Sequence, residues 1–281
     1  KENRLGGAAN VALNVAAMGA KPIICSVVGD DMEGRILKGL FQEQNINTDG
    51  LLFSTERCTT VKTRILGNKS QMLRIDEETE LPLSDNEQTA FLQRIEKIIE
   101  SNKPNAIIFQ DYDKGVITKD LIECLVAVAK SKSIPTCVDP KKRNFPFYKN
   151  VSLFKPNLKE LREGLKADIE TPKEEVLYQA ALTLHQKQGI EKVFITLSEY
   201  GVFIADFTSQ EPKVEMQPAR QQPETITMQQ QVIPTTVQRR TSLFFICSRF
   251  ECNTSAIGEP TTYVLSFATL DAFKYRLACS E

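Results

Sequence analysis

The sequence predicts an α/β fold: a mainly parallel sheet flanked by helices, with a small β cover. Three observations carry this expectation. From Lys1 to about Phe207, short β-rich runs alternate with longer helical patterns. The helical patterns repeat their apolar residues at 3.6-residue spacing, as in "FLQRIEKII", where Phe91, Ile95, Ile98 and Ile99 share one face. One pair of runs, within 59–76, instead carries alternate Lys and Arg and suits a hairpin lying over the main sheet.

In chain order, "RLGGAANVALNVAAMGA" comes first. Gly6 and Gly7 precede a helix on which Val11, Val15 and Met18 share a face, and Gly19 ends it. The strand "PIICSVV" runs into the Asp-rich turn "VVGDDMEG", which can cap the next helix. "TVKTRIL" and "QMLRID" form the hairpin. The strand "AIIFQDY", the helix "ITKDLIECLVAVAKSKS", the strands "PTCVD" and "VSLFKPN", the helix "KEEVLYQAALTLHQKQG" and the strands "VFITLS" and "GVFIADF" then follow as βαβ units. After Phe207 the texture changes. Eight glutamines fall between Gln210 and Gln238, and Gly258 is the only glycine beyond Gly201. The expected organisation is therefore one domain over 1–207 and an atypical tail over 208–281, either frame-shifted or poorly ordered.

Composition excludes several function classes. The 281 residues carry a net charge of −1, which gives no general attraction to nucleic acid or an anionic membrane. No apolar run reaches membrane-spanning length and no signal-peptide pattern stands at the start, so a cytoplasmic protein is expected. Seven cysteines form no CxxC pair, and their odd number argues against a disulfide framework. His185 is the sole histidine, and its setting is that of an ordinary helix residue, which argues against a Ser-His-Asp triad and, unless cysteines help, against a His-rich zinc site.

Chemistry begins with the glycine pair. Glycines at the mouth of a helix let a ligand approach the backbone, and Asn10 offers a donor and an acceptor to a hydroxylated molecule, although two turn glycines and a capped helix explain the same residues. The order of segments is more specific: "RLGGAANVALN", "VGDDMEG", "KTR", "LRID", "DYDKGVI", "VDPKKRNF", "KPNLKE" and "TLSEYG". This series resembles the ribokinase-like, or PfkB, carbohydrate kinases from about Arg4 to Phe207, and within them the kinases of D-glycero-β-D-manno-heptose 7-phosphate.

The resemblance implies ATP and Mg²⁺, a sugar-phosphate acceptor phosphorylated at its anomeric hydroxyl for heptose precursors of lipopolysaccharide, and a homodimer through the lid. On the acceptor side it points to Gly6, Gly7, Asn10, Lys62, Arg64, Arg74, Asp111, Lys114 and Asp139; cations suit a phosphate, and Asp111 and Asp139 follow strands, where ligands bind in open α/β sheets. A solvated hairpin face and a helix cap are the structural alternatives for these residues. On the nucleotide side it points to Asn157, Lys159, Glu160, Thr196, Ser198 and Gly201, with Glu160 toward the metal. Asn157 and Glu160 also have the spacing of a capping box.

Two departures qualify the expectation. The family places Asp-x-x-Gly-Ala-Gly-Asp-Thr after the strands matched by "VFITLS" and "GVFIADF", its last Asp taking the acceptor's proton and its glycine amides surrounding the transferred phosphoryl group. Here "TITMQQQVIPTT", Thr225 to Thr236, supplies neither the Asp nor the glycines, Asp206 lies on the preceding strand and Asp271 lies far down the tail. Read one base earlier, the codons of Met228 to Pro234 permit Ala-Ala-Ala-Gly-Asp-Thr. The family also begins with a strand and a cover segment carrying a sugar-binding Asp before the glycine pair, so a truncated start is expected. No catalytic residue is assigned, and impaired turnover is expected. A kinase of another sugar and a non-catalytic sugar-phosphate or nucleotide-binding remnant are the alternatives. A fused adenylyltransferase domain, which needs a His-x-Gly-His pair, is not expected.

Overall fold

The computed structural model describes residues 2–67 and 70–219 and, further along the chain, strands at 263–268 and 270–277. Two sheets organise it. The larger has nine strands, β2 (Lys21–Gly29), β3 (Asn47–Ser54), β6 (Ala106–Gln110), β7 (Thr136–Asp139), β8 (Leu153–Phe154), β9 (Lys192–Thr196), β10 (Val202–Asp206), β11 (Lys213–Gln217) and β12 (Tyr263–Ala268). Their order is β11-β10-β9-β8-β7-β6-β12-β2-β3; β10 and β11 run antiparallel at one edge, and the other seven are parallel. The smaller sheet is the lid, in the order β1 (Glu2–Gly7), β13 (Leu270–Leu277), β4 (Val61–Gly67), β5 (Ser70–Glu77).

The helices follow their sequence signals. Ser84 and Glu87 close a reciprocal capping box on α3 (Asp85–Asn102), Thr118 caps α4 (Lys119–Ser131), and Asp31 caps α2 (Met32–Glu43) through Gly34. α6 (Glu174–Gln188) ends at Gly189 in the left-handed region. Phe91, Ile95, Ile98 and Ile99 are all buried in the main core, as their spacing predicts. Phe145 meets Phe154 edge-on at 5.0 Å, and Tyr148 meets Phe109 in the same way at 5.8 Å, which closes the core beneath the carboxyl ends of β6 and β8.

The helix α1 (Ala8–Ala17) differs in its buried face. Ala8, Ala9, Ala12 and Val15 are buried, whereas Val11 and Met18 are only partly covered. Small side chains let α1 lie close to β2, so alanine rather than the larger apolar residues sets the contact.

Three parts of the architecture go beyond the sequence reading. The residues around the glycine pair form the strand β1 rather than a turn. The sheet continues past residue 207, since β11 pairs with β10 from Val202↔Gln217 to Asp206↔Lys213. And the tail contributes β12 to the middle of the main sheet and β13 to the middle of the lid. Asp271, remote in the sequence, therefore stands level with Gly6.

Candidate functional site at the carboxyl edge of the main sheet

The lid joins the main sheet at an anchored corner. Asp31 accepts from the Thr59 amide and hydroxyl, both at 2.8 Å, and the Gly29 amide donates to the same hydroxyl at 3.0 Å. Burial raises the Asp31 carboxyl, but the bonds from Thr59 and Gly34 outweigh that and hold it below its ordinary value. The chain enters β4 from this corner and leaves β5 toward Glu78 and Glu80.

Here the lid and the main sheet exchange charges. Lys62 of β4 and Lys114, which follows β6, both donate to Glu78 at 2.7 Å, and Lys114 also reaches Glu80 at 2.7 Å. The lysine side chains are only 12% and 15% exposed. Burial lowers the Lys114 ammonium, but Glu78 and Glu80 outweigh it and raise the group above its ordinary value; burial raises Glu78, and the two lysines hold it below. Arg143 extends the network to Asp113 at 2.9 Å and to Glu80 at 3.6 Å. Gly115 fixes the turn after Lys114: its φ is +76° and an added Cβ would stand 1.8 Å from the Leu81 carbonyl oxygen.

The expected acceptor residues thus separate. Lys62 and Lys114 converge, while Arg74 forms paired bonds to Asp76 of its own strand, at 2.8 and 2.7 Å. Arg64 stands level with Arg74 across β4 and β5. Gly6 and Gly7 end β1, and Asn10, half-buried, lies in the first turn of α1. Asp139, at the end of β7, accepts from Gln110 at 2.8 Å and pairs with Lys155 at 3.0 Å.

Asp111 is 1% exposed and accepts from the Asp113 amide at 2.8 Å, Asn144 Nδ2 at 2.9 Å and the Tyr148 hydroxyl at 3.0 Å. Burial pushes its carboxyl above the ordinary value despite those donors, and burial together with Asp111 pushes the Tyr148 phenol well up. Its oxygens are engaged inside the wall of the site.

Farther along the same edge, Asn157 caps α5 (Leu158–Leu165). Asn157 Oδ1 accepts from the Glu160 amide and Glu160 Oε2 from the Asn157 amide, both at 2.9 Å. The other Glu160 oxygen pairs with Lys141, so the buried carboxylate ties the segment after β7 to the start of α5. Asn157 bridges to Thr196, at the end of β9. The turn beyond holds Ser198 at φ 56° and Gly201 at φ 91°, where an added Cβ would meet the Gln217 carbonyl oxygen at 2.0 Å. Lys159 points away: it is 83% exposed and 3.9 Å from Glu163.

Among the described residues no three His, Cys, Asp or Glu side chains are grouped to hold a metal ion. Mg²⁺ on a nucleotide takes its ligands largely from phosphates and water, with one or two carboxylates; Glu160, whose two oxygens are held by the Asn157 amide and Lys141, would meet such a cation only through water. Thr225 to Thr236 lies outside the described residues. Two described cavities lie elsewhere: one between α3 and α4, lined by Glu96, Glu100 and Lys132, the other by Thr136, Asn150 and Ser152 at the amino ends of β7 and β8. The sequence reading missed Glu78, Glu80, Lys155 and Tyr148. The acidic run "DEETE" that closes the hairpin was a signal for the first two.

Comparisons with known proteins bear on the family and the fold. The profile described as pfkB family carbohydrate kinase matches residues 2–226. The bifunctional protein HldE of Syntrophotalea carbinolica is 35% identical over 201 residues, which covers 72% of this chain and 40% of that protein. HldE of Helicobacter pylori (strain P12) is 37% identical over 204 residues, covering 72% and 43%. The chain spans about two fifths of the length of these relatives. Phosphofructokinase-2 from Escherichia coli, solved in complex with fructose-6-phosphate, superposes with a TM-score of 0.56 at 20% identity over 78% of this chain and 70% of that one. A putative sugar kinase from Clostridium perfringens gives 0.55 at 22% identity over 72% and 61%. These two likenesses concern the fold, which is ribokinase-like. With the profile matched over residues 2–226 and HldE relatives at 35% and 37% identity over 72% of its length, the chain belongs to the pfkB family of carbohydrate kinases.

Proposed function

We infer that this chain binds ATP and a sugar phosphate at the carboxyl edge of its main sheet, and that its reaction is transfer of the γ-phosphoryl group to the sugar. The acceptor proposed is D-glycero-β-D-manno-heptose 7-phosphate, at its anomeric hydroxyl. The observation that carries this reading is the meeting of Lys62 from the lid and Lys114 from the main sheet on Glu78. Two shielded ammonium groups held together are suited to a phosphate that competes with the carboxylates for them. An unphosphorylated sugar would have no use for both.

The nucleotide belongs at Asn157, Glu160, Thr196, Ser198 and Gly201, farther along the same edge, so that donor and acceptor can meet nearly in line. Mg²⁺ bound with ATP supplies neutralisation of phosphate charge, with Glu160 and Asn157 on its water shell. Lys141, raised above its ordinary value because Glu160 outweighs its burial, keeps a positive charge between the two halves. Asn10 and the backbone at Gly6 and Gly7 orient the sugar hydroxyls. Among the described residues no helix is long and apolar enough to cross a membrane, which accords with a cytoplasmic setting. Association as a homodimer through the lid is supported by the exposed apolar side chains Met72, Leu73 and Ile75 on β5.

The sequence between Thr225 and Thr236 favours a second reading, a binding protein with little turnover, because it carries no Asp and no glycine. Both readings meet one experiment. Calorimetry with Mg-ATP and with the heptose 7-phosphate is expected to show binding of each, and an ADP-release assay is expected to show turnover far below that of a version given a Gly-Ala-Gly-Asp loop. Absence of sugar-phosphate binding in the folded chain would refute both readings. Equal turnover in the two versions would show that the base lies elsewhere.

A further inference from the structure

We propose that Lys141 is a ligand of the γ-phosphate of ATP, and that its ion pair with Glu160 is a placeholder which Mg-ATP replaces by an exchange of partners; this rests on the nucleotide site inferred above. Strand order carries the argument. In the run β9-β8-β7-β6 the nucleotide residues follow β9 and β8 and the acceptor residues Asp111 and Lys114 follow β6. A group passed between the two must therefore lie over the end of β7. Lys141 stands there, two residues beyond Asp139, where β7 ends.

Three cations follow β7, and they take different directions. Lys142 is exposed and lies 3.9 Å from Glu163, while Arg143 turns to Asp113 and Glu80 on the acceptor side. Lys155, at the carboxyl end of β8, is taken by Asp139 at 3.0 Å. Lys141 alone of the three turns to the nucleotide side, where it pairs with Glu160 at the start of α5.

The two members of this pair differ in freedom. Glu160 Oε2 is fixed by the Asn157 amide at 2.9 Å inside the reciprocal cap, and the glutamate side chain is only 9% exposed. Lys141 is 38% exposed and carries its charge on a flexible four-carbon stem. The carboxylate stays and the ammonium can swing. The pair also matches Mg-ATP in sign, an ammonium for the anionic γ-phosphate and a carboxylate oxygen for the water around the cation. Asp139 attracts the same ammonium through space, so without Lys141 a phosphate over β7 would face two carboxylates with no protein charge to offset them.

The test uses the full chain and compares Mg-ATP with Mg-ADP by calorimetry, since their difference isolates the γ-phosphate. Lys141→Gln keeps a donor for Glu160 and removes the charge. It is expected to weaken Mg-ATP binding about ten-fold, the loss of one charge-assisted hydrogen bond, with Mg-ADP affinity held within about two-fold. Lys141→Arg is expected to restore most of the ATP affinity. Equal losses for the two nucleotides, or no loss for ATP, would overturn the proposal and leave the nucleotide site standing. A second measurement needs no variant: acylation of Lys141 in the parent chain, followed by peptide mass mapping, is expected to be slowed by Mg-ATP and much less by Mg-ADP. Equal protection by both would overturn the proposal as well. A parent chain that binds neither nucleotide would refute it together with the function inferred above.

Discussion

Replacing Asp111 by alanine separates a buried structural carboxylate from a substrate ligand. The side chain receives three donors, and they fare differently on truncation. Asn144 Nδ2 keeps a second acceptor, the Ile117 carbonyl at 2.9 Å. The Tyr148 hydroxyl, in a fully buried residue, and the Asp113 amide lose the acceptor they have at 3.0 and 2.8 Å. Two stranded donors at about 1–3 kcal/mol each set a range of about 2–6 kcal/mol. Relief from burying a carboxylate offsets part of it, so we expect Asp111→Ala to cost about 3 kcal/mol. Tyr148→Phe removes one bond and should cost about 1 kcal/mol, and the double variant should fall short of the sum of the single losses by about 1 kcal/mol, because the two residues share that bond.

Urea unfolding followed by circular dichroism measures all three variants, and calorimetry with the sugar phosphate reads binding. Titration supplies a further check. The folded-state value of Asp111 is raised by burial, so ionisation is easier in the unfolded chain. The group is neutral in both states below the unfolded carboxylate value and imposes no penalty there; the penalty grows as pH rises through the interval between the unfolded and the raised folded value. Asp111→Asn should abolish that part of the pH dependence. If Asp111→Ala left stability within about 0.5 kcal/mol of the parent and abolished acceptor binding, the carboxylate would be a ligand and the burial argument would be wrong.

Three other outcomes follow from the site. Gly201→Ala forces a side chain into a φ of 91° and against the Gln217 carbonyl, and is expected to weaken Mg-ATP binding, read by calorimetry, while sugar-phosphate affinity holds. Glu80→Gln removes one of the two carboxylates on Lys114 from the exposed rim, and is expected to tighten sugar-phosphate binding a few-fold at low salt, with the gain fading as salt rises. Thr118→Ala deletes the cap that accepts from the Leu121 amide at 3.2 Å, and thermal unfolding should register a loss of about 1 kcal/mol.

What was legible in the sequence was local. The face Phe91, Ile95, Ile98 and Ile99 and the capping box of Asn157 and Glu160 each depend on residues within a turn or two of one another, so spacing alone places them. Lys62 and Lys114 were found through the order of motifs, but nothing in their spacing says that Glu78 holds both. Asp111 shows a further limit of spacing. A carboxylate after a strand reads as a ligand, and only the arrival of Tyr148 and Asn144 from a later loop shows that its oxygens are occupied.

The late strands were hidden for a physical reason of the same kind. "YVLSFA" and "LDAFKYRL" have the apolar and aromatic content of strands, yet no adjacent turn or helix announces a βαβ unit, and the glutamine-rich stretch ahead of them draws the reading toward disorder. A strand's environment is set by its neighbours in space. β12 is paired on both sides, with β6 and β2, strands that lie far back in the chain, and such contacts leave no periodic mark between them. The glycine pair shows the same limit: Gly7 stands at the mouth of α1 as the sequence suggests, while its place at the end of a lid strand shows only once β13 is beside it. Placement of one late segment thus changes the setting of residues at both ends of the chain: β1 gains a partner in the lid, and β2 and β6 are joined in the main sheet.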